Sequence, residues 1–263
     1  MKENRDHKNY LVQTVQRAIQ VLRAFSKENS SLSLTEINKI TGIGVPSLQR
    51  LLYTLVHEGL LIRNEDDKKY ELGLEFVVFA EIVRETSNLL LAAEPVMKKL
   101  NEKTTESVTL NIIENNKRKC ISSFDSKHEL TTLSYVGHQS PLYAGASAKV
   151  LLAHFPEEEL EEYLNNVHIE KLTDSTITDL DQLREELRKI REQGYAFSNG
   201  ERVKGAVSIS APIFDSFSNV IASLSITIPS VRFGDYDREE LIKETITMAN
   251  EITEKLAHRS PKR

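Results

Sequence analysis

The stretch GVPSLQRLLYTLVHEG, residues 44–59, constrains this chain more than any other. Plotted at 100° per residue, Leu48, Leu51, Leu52, Leu55 and Val56 fall within an arc of roughly 140°. Pro46, Ser47, Gln49, Arg50, Tyr53, Thr54 and His57 take the other side. The segment therefore reads as a helix buried on one face only. Its opposite face offers hydrogen-bonding side chains and no carboxylate before Glu58. A face that merely meets water more often mixes Glu with Lys, whereas one free of negative charge suits contact with phosphates.

The flanking sequence supplies the rest of a small domain. From Leu11 to Phe25, apolar residues recur with a helical period at Leu11, Val15, Ala18, Ile19, Leu22 and Phe25. In SLSLTEINKITG, Ser33 and Glu36 have capping-box spacing. Leu34, Ile37 and Ile40 form that helix's apolar face, and Gly42 suits a left-handed exit. Pro46 fits the first turn of the next helix, where a missing N–H costs nothing. After Gly59, LLIR and KYEL flank the turn-rich NEDDK and read as a hairpin. Three helices and a hairpin, over residues 10–73, make a winged helix-turn-helix whose last helix would enter a major groove. The acidic tip (Glu65, Asp66, Asp67) argues against deep insertion of the wing, and leaves Arg63, Lys68 and Lys69 to touch phosphates.

Charge distribution agrees with that reading. Of the net charge of −5, residues 1–73 contribute +2 and the remainder −7. Binding phosphate needs only a local patch. The alternative for this module is protein contact without nucleic acid.

A chain of 263 residues fits two domains. Residues 74–92, LGLEFVVFAEIVRETSNLL, read as one linker helix, apolar nearly all round from Phe76 to Ala80. Such a helix needs covering, by a second subunit or by its own chain. Residues 93–258 read as α+β, an antiparallel sheet with helices against it. SVTLNII, KCISSF, YAFS, VSISAPIFD and VIASLSITIP are its strands. The stretches EPVMKKLNEKTTE, ASAKVLLAHF, PEEELEEYLN, DLDQLREELRKIREQG and residues 236–257 are its helices. Thr178 is expected to cap the fourth of these, and Gly194 to end it.

Catalytic patterns are lacking. The seven histidines show no H-x-x-x-H spacing and the one cysteine, Cys120, has no partner, so neither a zinc site nor a disulfide is expected. No phosphate-cradling glycine motif is present, and GASAK matches G-x-S-x-G only loosely. No cofactor is expected, and the chain does not read as an enzyme. Residues 1–9 read as a polar tail without a signal-peptide core, and no apolar run approaches the roughly 18 residues of a membrane span. A reducing cytoplasm is the expected setting. The sequence does offer small hydroxyls on apolar strands. Ser208 and Ser210 share one face, as do Ser225 and Thr227. They point either inward, to a bound polar ligand, or out to solvent.

LTEINKITGI, LQRLLYTLVHEGLLIR, KKYELG, SPLYAGASAKVLLA, LREELRKIREQGYAFSNGE and APIFDSFSNVIASLSIT together, in this order, resemble the IclR family of bacterial transcriptional regulators. The resemblance covers roughly residues 11–257. It implies a homodimer or homotetramer, each subunit with a DNA-binding domain, a linker helix and a GAF-like effector domain. The expected function is a ligand-responsive regulator, a repressor, controlled by a small organic acid or aromatic metabolite. By position, the family's recognition-helix residues fall on Val45, Pro46, Ser47, Gln49 and Arg50. Gln49 and Arg50 would read base edges of an operator duplex, and Ser47 and Tyr53 would hold phosphates. The effector site falls on Ala146 and Ser147 at a helix start, then Ser198, Ser208, Ser225 and Thr227. Helix-start N–H groups favour a carboxylate, and serines can hydrogen-bond its oxygens. Relatives commonly carry Lys-Ser-Thr at Val45-Pro46-Ser47, a His at Tyr143 and, in some, an Asp at Ser198, so neither operator nor effector carries over. The competing classes are an enzyme acting on a small metabolite, and a sensor whose winged helix binds protein.

Overall fold

The computed structural model describes residues 11–259 apart from Lys27 and Leu133. The stretch read as a polar tail lies outside them. The chain divides into two compact units at the Thr86–Ser87 junction.

The first unit runs α1 (Gln13–Leu22), β1 (Ser31–Leu32), α2 (Leu34–Thr41), α3 (Val45–His57), β2 (Leu61–Arg63), β3 (Tyr70–Leu72) and α4 (Glu75–Thr86). Its core holds Val21, Ile37, Leu48, Leu52 and Leu61. The capping box forms: Ser33 Oγ accepts the Glu36 N–H, and the Glu36 carboxylate accepts the Ser33 N–H. Gly42 ends α2 at φ +67°, donating to the Asn38 carbonyl. At the hairpin base, a Cβ on Gly73 would sit 1.8 Å from the Gly59 carbonyl oxygen, so the two backbones meet only because Gly73 has no side chain. The wing has three antiparallel strands in the order β1-β3-β2. The first was not expected, because two residues carry no period to read.

Two expectations about helices need correcting. On α1 the unit buries Val21, with Ala24 and Phe25 just beyond it, and leaves Leu11, Val15 and Ile19 exposed. The expected stripe meets the core only in its second half, where Ala18 and Leu22 pack against it and Phe25 joins it. The linker is not one helix over 74–92. Ser87 stops α4 and caps α5 (Asn88–Thr104), its Oγ accepting the Leu90 N–H. Among the described residues, none of α4 is buried.

The second unit is α+β. After α5 come β4 (Ser107–Glu114), β5 (Lys117–Phe124), β6 (Gln139–Pro141), α6 (Ala146–Ala153), α7 (Glu157–Asn166), α8 (Leu180–Gln193), β7 (Ala196–Asn199), β8 (Ala206–Phe214), β9 (Val220–Pro229), α9 (Ser230–Phe233) and α10 (Arg238–Arg259). Six strands form one antiparallel sheet in the order β6-β5-β4-β9-β8-β7. Asp179, not Thr178, caps α8: its carboxylate accepts the Gln182 N–H at 2.8 Å. Gly194 ends that helix at φ +77°, as expected.

The period-two alternation of strands separates two chemistries across this sheet. One face presents Val108, Leu110, Ala211, Ile213, Ala222 and Leu224 to α5 and α10, and this is the main core. The other presents Thr109, Asn111, Ser208, Ser210, Ser223, Ser225 and Thr227. Ser223 Oγ donates to the Ser147 carbonyl of α6, which fixes that helix over the hydroxyl face.

Candidate nucleic-acid interface and effector cavity

On α3 the expected division holds for the four leucines, while Val56 is only half-buried. Leu48, Leu51, Leu52 and Leu55 are buried. Val45, Pro46, Gln49, Arg50, Tyr53, Thr54 and His57 are exposed, Tyr53 at 76%, and Ser47 is half-buried. Among the described residues, the side chains of Gln49, Arg50 and Tyr53 make no hydrogen bond or ion pair within the chain. Thr54 spends its hydroxyl on the Arg50 carbonyl, and His57 contacts Glu58 at 3.1 Å. On the wing, the Arg63 guanidinium lies 5.8 Å from the Tyr70 ring and Lys68 pairs with Glu65 at 2.8 Å. That pair is exposed and weak enough to yield to a phosphate.

In the second unit, a small cavity of about 30 Å³ lies under the start of α6, room for about two waters. It brings together five of the residues expected there: Ala146, Ser147, Ser198, Ser208 and Thr227. Ser225 does not line it. Its hydroxyl lies 2.7 Å from Ser210 Oγ and within 3.4 Å of the Asn111 amide, so it belongs to the supporting layer. A larger open groove of about 970 Å³ is walled by β6 and α7. It contains none of the expected residues and mixes Glu159, Glu162 and Glu170 with Tyr143 and Phe155, so the smaller cavity is the better candidate.

Two arginines complete the cavity wall, and sequence reasoning missed both. Arg118 on β5 is 2% exposed. It donates to Asn111 Oδ1 at 2.7 Å, to Ser140 Oγ at 2.9 Å and to His138 Nδ1 at 2.9 Å. A guanidinium only donates, so His138 Nδ1 accepts. Burial, and then the neighbouring charge of Arg202, bring the Arg118 pKa down to about 10. Arg202 is also lowered, by burial. Among the described residues it has no hydrogen bond or ion pair. Its side chain packs beside Gly145, where an added Cβ would come within 3.7 Å of Arg202 Cβ. Gly145 sits at φ +90°, a backbone that favours glycine.

The start of α6 is anchored from behind. Lys149 is fully buried, its Nζ 2.7 Å from both Glu186 and Glu201. The second Glu201 oxygen accepts the Gly145 N–H at 3.2 Å. The signal for Arg118 was present: it alternates with Cys120 on a strand, and both are buried. The strand was expected to begin at Lys119, which left Arg118 just outside it. Arg202, in a loop, left no periodic signal at all. Cys120 is the plain buried strand residue expected, its thiol pushed up by burial.

A winged helix-turn-helix followed by an α+β unit with an enclosed polar cavity defines a DNA-binding regulator that senses a small molecule. Residues 82–254 match the family described as bacterial transcriptional regulator IclR, C-terminal, and residues 14–65 match the IclR helix-turn-helix domain. The chain belongs to the IclR family: it is a DNA-binding transcriptional regulator with an effector-binding C-terminal domain, and not an enzyme. It is 29% identical to the HTH-type transcriptional regulator KdgR of Escherichia coli K12 over 247 residues, 94% of each chain. It is 25% identical to the transcriptional repressor IclR of the same organism, over 92% of this chain and 89% of that one. The structure of an IclR homologue from Microbacterium hydrocarbonoxydans, complexed with 4-hydroxybenzoate, shares the fold. Its TM-score is 0.83 at 24% identity, over 93% of this chain and 99% of that one. No described helix is long and apolar enough to cross a membrane.

Proposed function

We propose that the protein is a repressor that binds an operator duplex as a homodimer or homotetramer, and that a small organic acid or aromatic metabolite controls it. The observation that carries this reading is the outer face of α3, where Gln49, Arg50 and Tyr53 stand exposed without a partner among the described residues. Gln49 suits adenine and Arg50 suits guanine; Ser47 and Tyr53 hold phosphates, while Val45 and Pro46 set the closeness of approach. Repression is supported by the relative named as a repressor. The exposed apolar residues of α4, Val77, Val78, Ile82 and Val83 among them, support a second copy as its cover. A dimer would read a near-palindrome with half-sites about one helical turn, or a multiple, apart. These events belong to the cytoplasm.

The effector enters the cavity at Ala146, Ser147, Ser198, Ser208 and Thr227, with Ser225 behind. The homologue complexed with 4-hydroxybenzoate supports a ligand that is acid, aromatic or both. Binding shifts the DNA-binding state only by as much as the ligand prefers one state over the other. The test begins with duplexes recovered by in vitro selection. Affinity for them falls steeply with added salt. Arg50→Ala lowers it by about 1–3 kcal/mol; unchanged binding in a gel-shift titration removes Arg50 from the interface. Ser208→Phe abolishes the ligand response and leaves DNA binding intact, and a normal response in that variant relocates the effector site.

A further inference from the structure

The charge of the cavity says more about its ligand than its shape does. Two guanidiniums border it, and no carboxylate does. The partners of Arg118 are an amide, a hydroxyl and an imidazole nitrogen, all neutral as acceptors here. Arg202 has no partner among the described residues. Glu201 is next in sequence, yet its oxygens are committed to Lys149 Nζ and the Gly145 N–H, so it answers the buried lysine. The Cys120 thiol nearby is held neutral. Two like charges, both largely out of water, with Arg202 lowering the pKa of Arg118, are unfavourable without a counter-charge. The remaining wall adds the hydroxyls of Thr109, Ser198, Ser208 and Thr227 and the first N–H groups of α6, which further favour negative oxygens.

Resting on the effector reading above, we infer that the ligand is a compact dianion, with one anionic group on Arg118 and the other on Arg202. A dicarboxylate and a phosphate share that chemistry. The ligand is selected by its charge count, so a neutral aromatic or a simple monoacid is the poorer fit. The cavity widens to admit it, and Arg202, resting on Gly145 without a bonding partner, is the side chain free to give way.

The test uses the full-length chain, with melting temperature and titration calorimetry as readouts. The probes are the dicarboxylates from oxalate to adipate, inorganic phosphate, and the singly charged succinamate and butyrate. Succinamate matches succinate in size and lacks one charge. At least one dianion is expected to bind tenfold or more tightly than the singly charged probes; whether a dicarboxylate or phosphate does so assigns the source. Arg202→Gln should raise the melting temperature of the unliganded protein by a few degrees, because it removes an unanswered charge. The same variant should weaken the dianion at least tenfold while changing a monoacid less than threefold.

Equal affinity for succinate and succinamate, or no response to any dianion, overturns the inference. So does an Arg202→Gln variant that melts lower and keeps full dianion affinity. Ser208→Phe separates this failure from failure of the effector site itself. A monoacid whose binding that variant abolishes leaves the site in place and removes the charge rule. A dianion that binds the variant at full strength removes the site.

Discussion

The outer face of α3 and the cavity under α6 are both polar surfaces, and they are constructed in opposite ways. The helix face stands in water, and among the described residues the side chains of Gln49, Arg50 and Tyr53 bond to nothing within the chain. The cavity wall is largely buried, and part of it is held by the chain itself: Asn111 accepts from Arg118, and Glu201 accepts the Gly145 N–H. A residue of the first kind can change without cost to folding. A residue of the second kind carries folding and recognition together.

That difference can be broken or sharpened by substitution. The largest effect belongs to Lys149, which answers two carboxylates from full burial. Lys149→Met should cost about 3–5 kcal/mol of stability in urea unfolding. A loss under about 1 kcal/mol would mean that the anchor behind the cavity is dispensable. Arg50→Ala, whose loss of operator affinity is given above, should leave the same unfolding curve within about 0.5 kcal/mol of the parent. A lower unfolding midpoint there would erase the contrast, since the helix face would then be structural too.

Gly145→Ala should cost about 1–3 kcal/mol from backbone strain alone, because φ +90°, ψ 151° is a conformation open essentially to glycine while the space beside Arg202 admits a methyl group. The smallest effect is on pH. Burial lowers the pKa of His154, at the end of α6, below its ordinary value of 6.5. The unfolded chain therefore takes up that proton first, and stability falls as pH drops below about 6.5. His154→Gln should flatten that part of the stability profile; an unchanged slope would place the titration elsewhere.

The same contrast explains what could be read in advance. The α3 face was legible because its pattern is complete within thirteen consecutive residues. The hydroxyl strands were legible in part: Ser208, Ser210, Ser225 and Thr227 announce a face, and only the pairing of β8 with β9 shows that they share one. Arg118 and Arg202 stayed hidden because their meaning depends on what lies across the cavity, eighty-four residues apart in sequence. The second strand set of the wing was invisible at β1 for want of length. On α1 the apolar period begins before the core does, and only tertiary packing shows that Leu11 and Val15 stay outside while Ala18, Leu22 and Phe25 reach it. The break at Ser87 was missed because the apolar pattern runs on through it, while the cap depends on one hydroxyl.

The two-faced sheet of the second unit has a consequence for how such a sensor diverges. On β8 and β9, odd and even positions answer to separate demands: one set packs on α5 and α10, the other carries the hydroxyls beneath α6, of which Ser208 and Thr227 line the cavity. A lineage can therefore exchange serine for alanine, cysteine or aspartate on the cavity side, one position at a time. The neighbours that keep the strands seated need not change with it, and a new chemical preference can arise in a scaffold that stays the same.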